Sequence, residues 1–159
     1  MIIYTDGSCL GNGKSENTGG FGVVILDDNE NLVELYSRSS RNTTNNREEL
    51  KAILYAFLRF GTKSENISTV YSDSAYSVNT YTTWMFNWAV RDWVKSDNRP
   101  PENLDIIQAF YEHWQKGYRI NLKQVRGHST NKWNNMADKL AVKASNSKEE
   151  NNRYDNVLV

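Results

Sequence analysis

A chain of 159 residues corresponds to about one domain, and 38% hydrophobic with 24% charged residues is the make-up of a globular protein rather than a disordered one. No run approaches the roughly 20 apolar residues of a membrane span. The single cysteine, Cys9, excludes an internal disulfide and a cysteine-cluster zinc site, and two histidines, His113 and His128, leave little room for a His-rich metal centre. With 19 basic against 19 acidic residues the formal net charge is zero, so binding a polyanion would need a local concentration of Lys and Arg.

The opening Met1-Ile2-Ile3-Tyr4 lacks the basic and apolar regions of a secretory leader, which predicts a cytosolic chain. Ile2 to Thr5 is short and β-branched and reads as a strand. A polar, glycine-containing loop covers Gly11 to Gly19, and Gly20 to Leu26 (GFGVVIL) reads as a second strand. Leu32 to Ser37 is a third, joined through the polar turn Asp27 to Asn31 as an antiparallel hairpin. From about Asn46 to Phe60 the residues Leu50, Ile53, Leu54, Phe57 and Leu58 mark one helical stripe. Ile67 to Tyr71 is the fourth strand. Helical segments follow from Ser74 to Tyr81 and through a Trp-rich stretch to Lys95, then from Leu104 to Lys116. Tyr118 to Val125 is the last strand and Asn134 to Ala144 the last helix. Strands joined through helices run parallel with right-handed crossovers, so the order predicts an α/β domain with a mixed sheet flanked by helices. One domain is expected over residues 1–145, with a polar, loosely ordered tail over 146–159.

Four acids occupy positions that chemistry favours. Asp6 ends the first strand and Asp73 the fourth. If those strands are parallel neighbours, both carboxylates emerge at the edge where open α/β sheets bind ligands. Of the adjacent Glu48 and Glu49, the helical wheel puts Glu49 in a row with Ile53, Ala56 and Phe60, facing the sheet. Glu48 falls in a row with Lys51, Ala52, Tyr55 and Arg59, which predicts a solvated pair with Lys51. Asp138 lies on the last helix between the small residues Asn134 and Ala141. Taken singly, an Asp-Gly is usually a turn and an Asp-Ser a helix cap. Jointly, clustered carboxylates repel unless cations neutralise them. Hard divalent ions with oxygen ligands fit, Mg²⁺ best and Mn²⁺ as a substitute, whereas zinc would want His or Cys.

The segments Y-T-D-G-S-C-L-G-N-G (Tyr4 to Gly13), T-N-N-R-E-E-L (Thr44 to Leu50), Y-S-D-S-A-Y (Tyr71 to Tyr76) and V-R-G-H (Val125 to His128) followed by N-x-x-x-D (Asn134 to Asp138) resemble type 1 ribonuclease H over the whole globular part. The resemblance implies a five-stranded sheet in the order 3-2-1-4-5. It implies endonucleolytic hydrolysis of the RNA strand of RNA–DNA hybrids by a two-metal-ion reaction, with Asp6, Glu49, Asp73 and Asp138 as the metal ligands. His128 matches a histidine that assists proton movement or product departure. His113, in Tyr111-Glu112-His113-Trp114, reads as structural.

The resemblance also places Asn12, Asn45 and Asn46, with backbone near Cys9 and Gly11, at positions reading the RNA minor groove, where amides both donate to and accept from 2′-hydroxyls. Thr44 matches a phosphate-pocket position. Trp84, Trp88, Arg91 and Lys95 resemble a basic protrusion gripping the DNA strand, thinly charged here because Asp92 and Asp97 offset its cations. A monomer with an RNA–DNA hybrid as its partner is expected. Two other readings compete. A transposase-type nuclease would share the acids but lack the N-N-R-E-E-L and D-G-S-C-L-G-N set. A hybrid-binding module without chemistry would not need all four acids.

Overall fold

Hydrogen-bond pairing carries the first strand well past its apolar opening. In the computed structural model of the chain, whose described residues are 1–13, 16–126 and 131–147, β1 spans Ile2–Leu10. Asp6, Gly7, Ser8, Cys9 and Leu10 keep antiparallel register with Gly22, Phe21, Gly20, Gly19 and Thr18 of β2 (Thr18–Leu26). Asp6 therefore sits within β1 rather than at its end, a correction to the expectation from composition. β3 (Leu32–Arg41) completes an antiparallel meander and also runs longer than its apolar residues indicate. α1 (Asn45–Phe60) crosses over to β4 (Thr69–Ser72), which is parallel to β1.

A helical arm follows, made of α2 (Ala75–Asn79), a π-helical turn (Thr80–Trp84) and α3 (Met85–Ala89). It stops before the expected Lys95, because Asp92 and Trp93 take left-handed φ values of 57° and 61°. α4 (Leu104–Gln115) leads to β5 (Asn121–Gln124), parallel to β4, and α5 (Lys132–Ser145) returns across the sheet. The sheet order is β3-β2-β1-β4-β5, as the resemblance implies.

The core lies in layers on both sides of the sheet. On one side Ala56 of α1 packs with Ile3, Val23, Ile25 and Val70. The opposite flank of α1 (Leu50, Leu54, Phe57) packs with Tyr81, Met85, Ile106, Ile107 and Phe110. Burying each such side chain contributes about 1.5–3 kcal/mol. On the other side Ala137 of α5 covers Tyr4, Val24 and Leu26. α1 is thus sandwiched between sheet and helices, and only Leu58 of its predicted stripe is exposed.

Two glycines set how closely the helices approach. A Cβ at Gly7 would lie 2.4 Å from the Glu49 amide nitrogen, and one at Gly22 would lie 2.6 Å from the Ala137 carbonyl oxygen. Both helices that carry a candidate acid therefore seat directly on β1 and β2. At the outer edge, Leu32, Val33 and Leu35 of β3 are exposed, while Tyr36 stacks on Tyr55 of α1 at 4.1 Å.

Candidate active site

The parallel pairing of β1 with β4 ends at Thr5 opposite Ser72, so Asp6 and Asp73 occupy the next position on each chain, side by side. Glu49, just past the first turn of α1, is lowered onto them by the close approach at Gly7. The carboxylates of Asp6, Glu49 and Asp73 can each offer one oxygen such that the three oxygens lie within 4.8 Å of one another. Asp138, exposed on α5, is not one of that trio, but its hydrogen bond and charge both act on Asp6.

The electrostatics follow from that crowding. The Asp6 carboxyl is raised to about 7 in all: burial lifts it most, the hydrogen bond with Glu49 lowers it, and the negative charges of Asp73 and Asp138 lift it further. Burial, then the Asp6 charge, holds Glu49 well above the usual carboxylate range. The Gly7 amide donates to Asp6 Oδ1 at 3.0 Å. Among the described residues, Glu49 Oε2 is buried without a hydrogen-bond partner, and so is Asn134 Oδ1, one turn before Asp138. An unsatisfied buried carboxylate oxygen beside two other carboxylates is a cation-binding arrangement, and oxygen-only donors select a hard divalent ion. The residues present therefore fit the metal that the acids predict.

Comparison with known proteins bears on the whole chain. A family model described as RNase H matches residues 1–146. The chain belongs to the RNase H family. It is a ribonuclease H, a hydrolase of the nuclease class. It is 42% identical over 142 residues to the ribonuclease H of Rickettsia massiliae, covering 89% of this chain and 88% of that protein. It is 38% identical over 143 residues to that of Haemophilus influenzae, covering 90% and 88%. Among solved structures it is similar to LC9-RNase H1, described as a type 1 RNase H with the type 2 active-site motif, with a TM-score of 0.70 and 31% identity over 91% of this chain and 71% of that one. The prototype foamy virus protease-reverse transcriptase shares the fold, with a TM-score of 0.79 and 22% identity over 93% of this chain and 21% of that one.

Within this ribonuclease H fold, the other predicted site residues fall into two groups and one exception. On one side of the acids, Asn12 Oδ1 accepts from the Asn45 amide at 3.1 Å, tying the β1–β2 turn to the start of α1, and Gly11 supports that turn with φ 72°. Cys9 Sγ donates to the Thr43 carbonyl at 3.6 Å, and Asn46 is exposed in the first turn of α1. Thr44 is the N-cap of α1, its hydroxyl accepting from the Arg47 amide at 3.0 Å, so the cap role falls to Thr44 and to neither Asn. On the other side, Trp84, Trp88, Arg91 and Lys95 line one groove of about 650 Å³. The two cations reach it from a turn, not from one helix face as their spacing predicts. Trp88 also packs on the core, whereas Trp84 is 38% exposed. His128 lies outside the described residues. His113 is structural, stacked on Tyr118 at 4.1 Å.

Glu48 is the clear correction. It is 0% exposed and Lys51 1% exposed, so the pair is buried rather than solvated. The wheel groups the row correctly but presumes that α1 has one covered face, whereas the sheet covers this row together with Ala56, and the helices cover the flank of Leu50, Leu54 and Phe57. Arg47 also escapes a reading of the sequence: it holds Asp105 of α4 through two hydrogen bonds at 3.0 and 2.8 Å, a contact between distant segments with no sequence signal.

Proposed function

We propose that this ribonuclease H hydrolyses the RNA strand of RNA–DNA hybrids endonucleolytically, with two divalent cations, Mg²⁺ as the natural ion, held by Asp6, Glu49, Asp73 and Asp138. The observation that carries the reading is the trio of carboxylates with oxygens within 4.8 Å, with Oε2 of Glu49 buried and without a hydrogen-bond partner. When bound, such cations neutralise the charge that develops in phosphoryl displacement and activate water. The chain's own residues do the rest. Asp6 and Asp73 project from adjacent parallel strands and Glu49 is fixed by helix packing, so the ligand oxygens are held in place before substrate arrives. The amides of Asn12, Asn45 and Asn46, with backbone at Cys9 and Gly11, face the minor groove of a hybrid and distinguish 2′-hydroxyls. Thr44 stands at a phosphate. The Trp84–Trp88 groove, with Arg91 and Lys95, takes the DNA strand. His128 moves a proton or aids product departure near the reacting phosphate. The enzyme acts as a monomer in the cytosol; among the described residues no helix is long and apolar enough to cross a membrane.

The test is a hybrid labelled on its RNA strand, an all-DNA duplex of the same sequence, and the hybrid again in EDTA. Cleavage is expected only of the RNA strand in the hybrid with Mg²⁺. Cleavage of the all-DNA duplex, or full activity in EDTA, would overturn the reading.

A further inference from the structure

The buried pair beside Glu49 is the feature that the site does not absorb. Glu48 Oε2 lies 3.3 Å from Lys51 Nζ and accepts from the Thr43 hydroxyl at 2.7 Å, while Glu48 Oε1 accepts from the Ser40 hydroxyl at 3.1 Å. Lys51 Nζ in turn donates to Ser40 Oγ at 2.7 Å. Ser40 belongs to the end of β3, Thr43 to the turn that follows, and Glu48 and Lys51 to the first turns of α1. The Thr43 backbone is held from its other side: its amide donates to Asn17 Oδ1 at 2.8 Å, and its carbonyl accepts from Asn17 Nδ2 at 3.0 Å. Cys9 Sγ reaches the same carbonyl.

A buried ion pair is poor evidence for stability, because an apolar pair of similar volume commonly folds as well or better. What a carboxylate adds is direction: two hydroxyls from different segments must point at it. Those segments flank the machinery. Thr44 and Asn45 follow Thr43 directly, and Glu49 follows Glu48.

We propose that Glu48 and Lys51 are positioning residues for the reaction, locking the Thr43 turn and the first turn of α1 to the end of β3 so that Glu49 and the groove-facing amides of Asn45 and Asn46 keep one fixed relation. This rests on the hybrid-cleaving reading above. The pair touches neither substrate nor the reacting atoms and acts through its neighbours.

The test separates position from stability. Glu48→Met with Lys51→Met fills the same space without direction, and its Tm is expected to equal or exceed that of the parent. Its kcat/KM on a hybrid, measured where both proteins are fully folded, should nonetheless fall about tenfold, the equivalent of one or two lost hydrogen bonds. Wild-type kcat/KM at wild-type Tm would overturn the proposal. Thr43→Val gives a second reading should the double variant not fold. It should lower kcat/KM by roughly three- to tenfold, and Thr43→Ser, which keeps the hydroxyl, should restore it. An unaffected Thr43→Val also overturns the proposal. A parent protein that leaves hybrids uncut overturns the functional reading instead, and this inference with it.

Discussion

Asp6 has its raised proton affinity because the folded chain puts it out of water beside other acids. With a folded value of about 7 against an ordinary 3.8, the native state holds a proton that the unfolded chain has released across that window. The resulting stability is fully present below the ordinary value and is lost as pH rises to about 7. In EDTA, the protein should therefore melt at a higher temperature at pH 5 than at pH 7.5. The difference should reach a few kcal/mol at most, since each pH unit separating the folded from the ordinary value corresponds to ~1.4 kcal/mol. Asp6→Asn should flatten that dependence, raise the neutral-pH Tm and abolish cleavage; melting curves and a hybrid assay check both halves. Glu49→Gln should cost orders of magnitude in turnover with the fold retained. Glu48→Gln should instead lower Tm by leaving Lys51 buried and unpaired, since breaking such a pair is far costlier than breaking a surface one. Equal Tm for Glu48→Gln and the parent would contradict the buried network. His128→Ala should slow turnover by roughly 10²-fold or less, the contribution of one acid–base group, with hybrid affinity unchanged.

At the scale of elements, the site depends on how closely two helices seat on the sheet. Gly7→Ala should push α1 off β1, because its Cβ has backbone atoms of Glu48 and Glu49 within 2.5 Å. Overpacking of this kind costs about 1–3 kcal/mol, and here it also moves Glu49 away from Asp6, so activity should fall by more than the loss of Tm alone explains. Wild-type turnover in a folded Gly7→Ala protein would show that the approach is not what places Glu49. Much of this arrangement is legible in the sequence. The acids stand out because each follows an element signal that local chemistry writes: β-branched runs before Asp6 and Asp73, and an apolar period around Glu49. The true ends of β1 and β3 are not legible, since the pairing of Gly7 to Leu10 with β2 is a long-range hydrogen-bond property that apolar content does not register. The Glu48 environment escapes for a related reason. A wheel ranks faces of one helix but does not count how many neighbours that helix has, and α1 is covered by the sheet on one flank and by α4 and the helical arm on the other.

The whole molecule carries no net charge, so its hold on a polyanion must be local. The groove of Trp84, Trp88, Arg91 and Lys95, with Arg99 nearby in sequence, supplies few cations. Each neutralised phosphate contributes roughly 0.9 to the slope of log K against log salt, so that slope should be shallow, about 3 or less. A salt titration of hybrid binding by the Asp6→Asn protein measures it, and a slope twice as steep would mean that other basic residues share the contact. The π-helical turn at Thr80–Trp84 leads into this groove, and it has a genealogical reading. Such turns accommodate one residue more than an α-helix would hold in the same span. Deleting Thr83 should let the arm close into a regular helix with the residues beyond it kept in place, because the wide turn absorbs that one residue locally. Trp88 should then keep both its packing on the core and its place beside Trp84, whose ring centre lies 6.2 Å away, and unchanged hybrid affinity of the deletion variant checks this. A single-codon gain or loss at this turn is thus absorbed without re-aiming the nucleic-acid grip or touching an acid, which lets relatives with one catalytic centre differ in length here while holding their substrates in the same way.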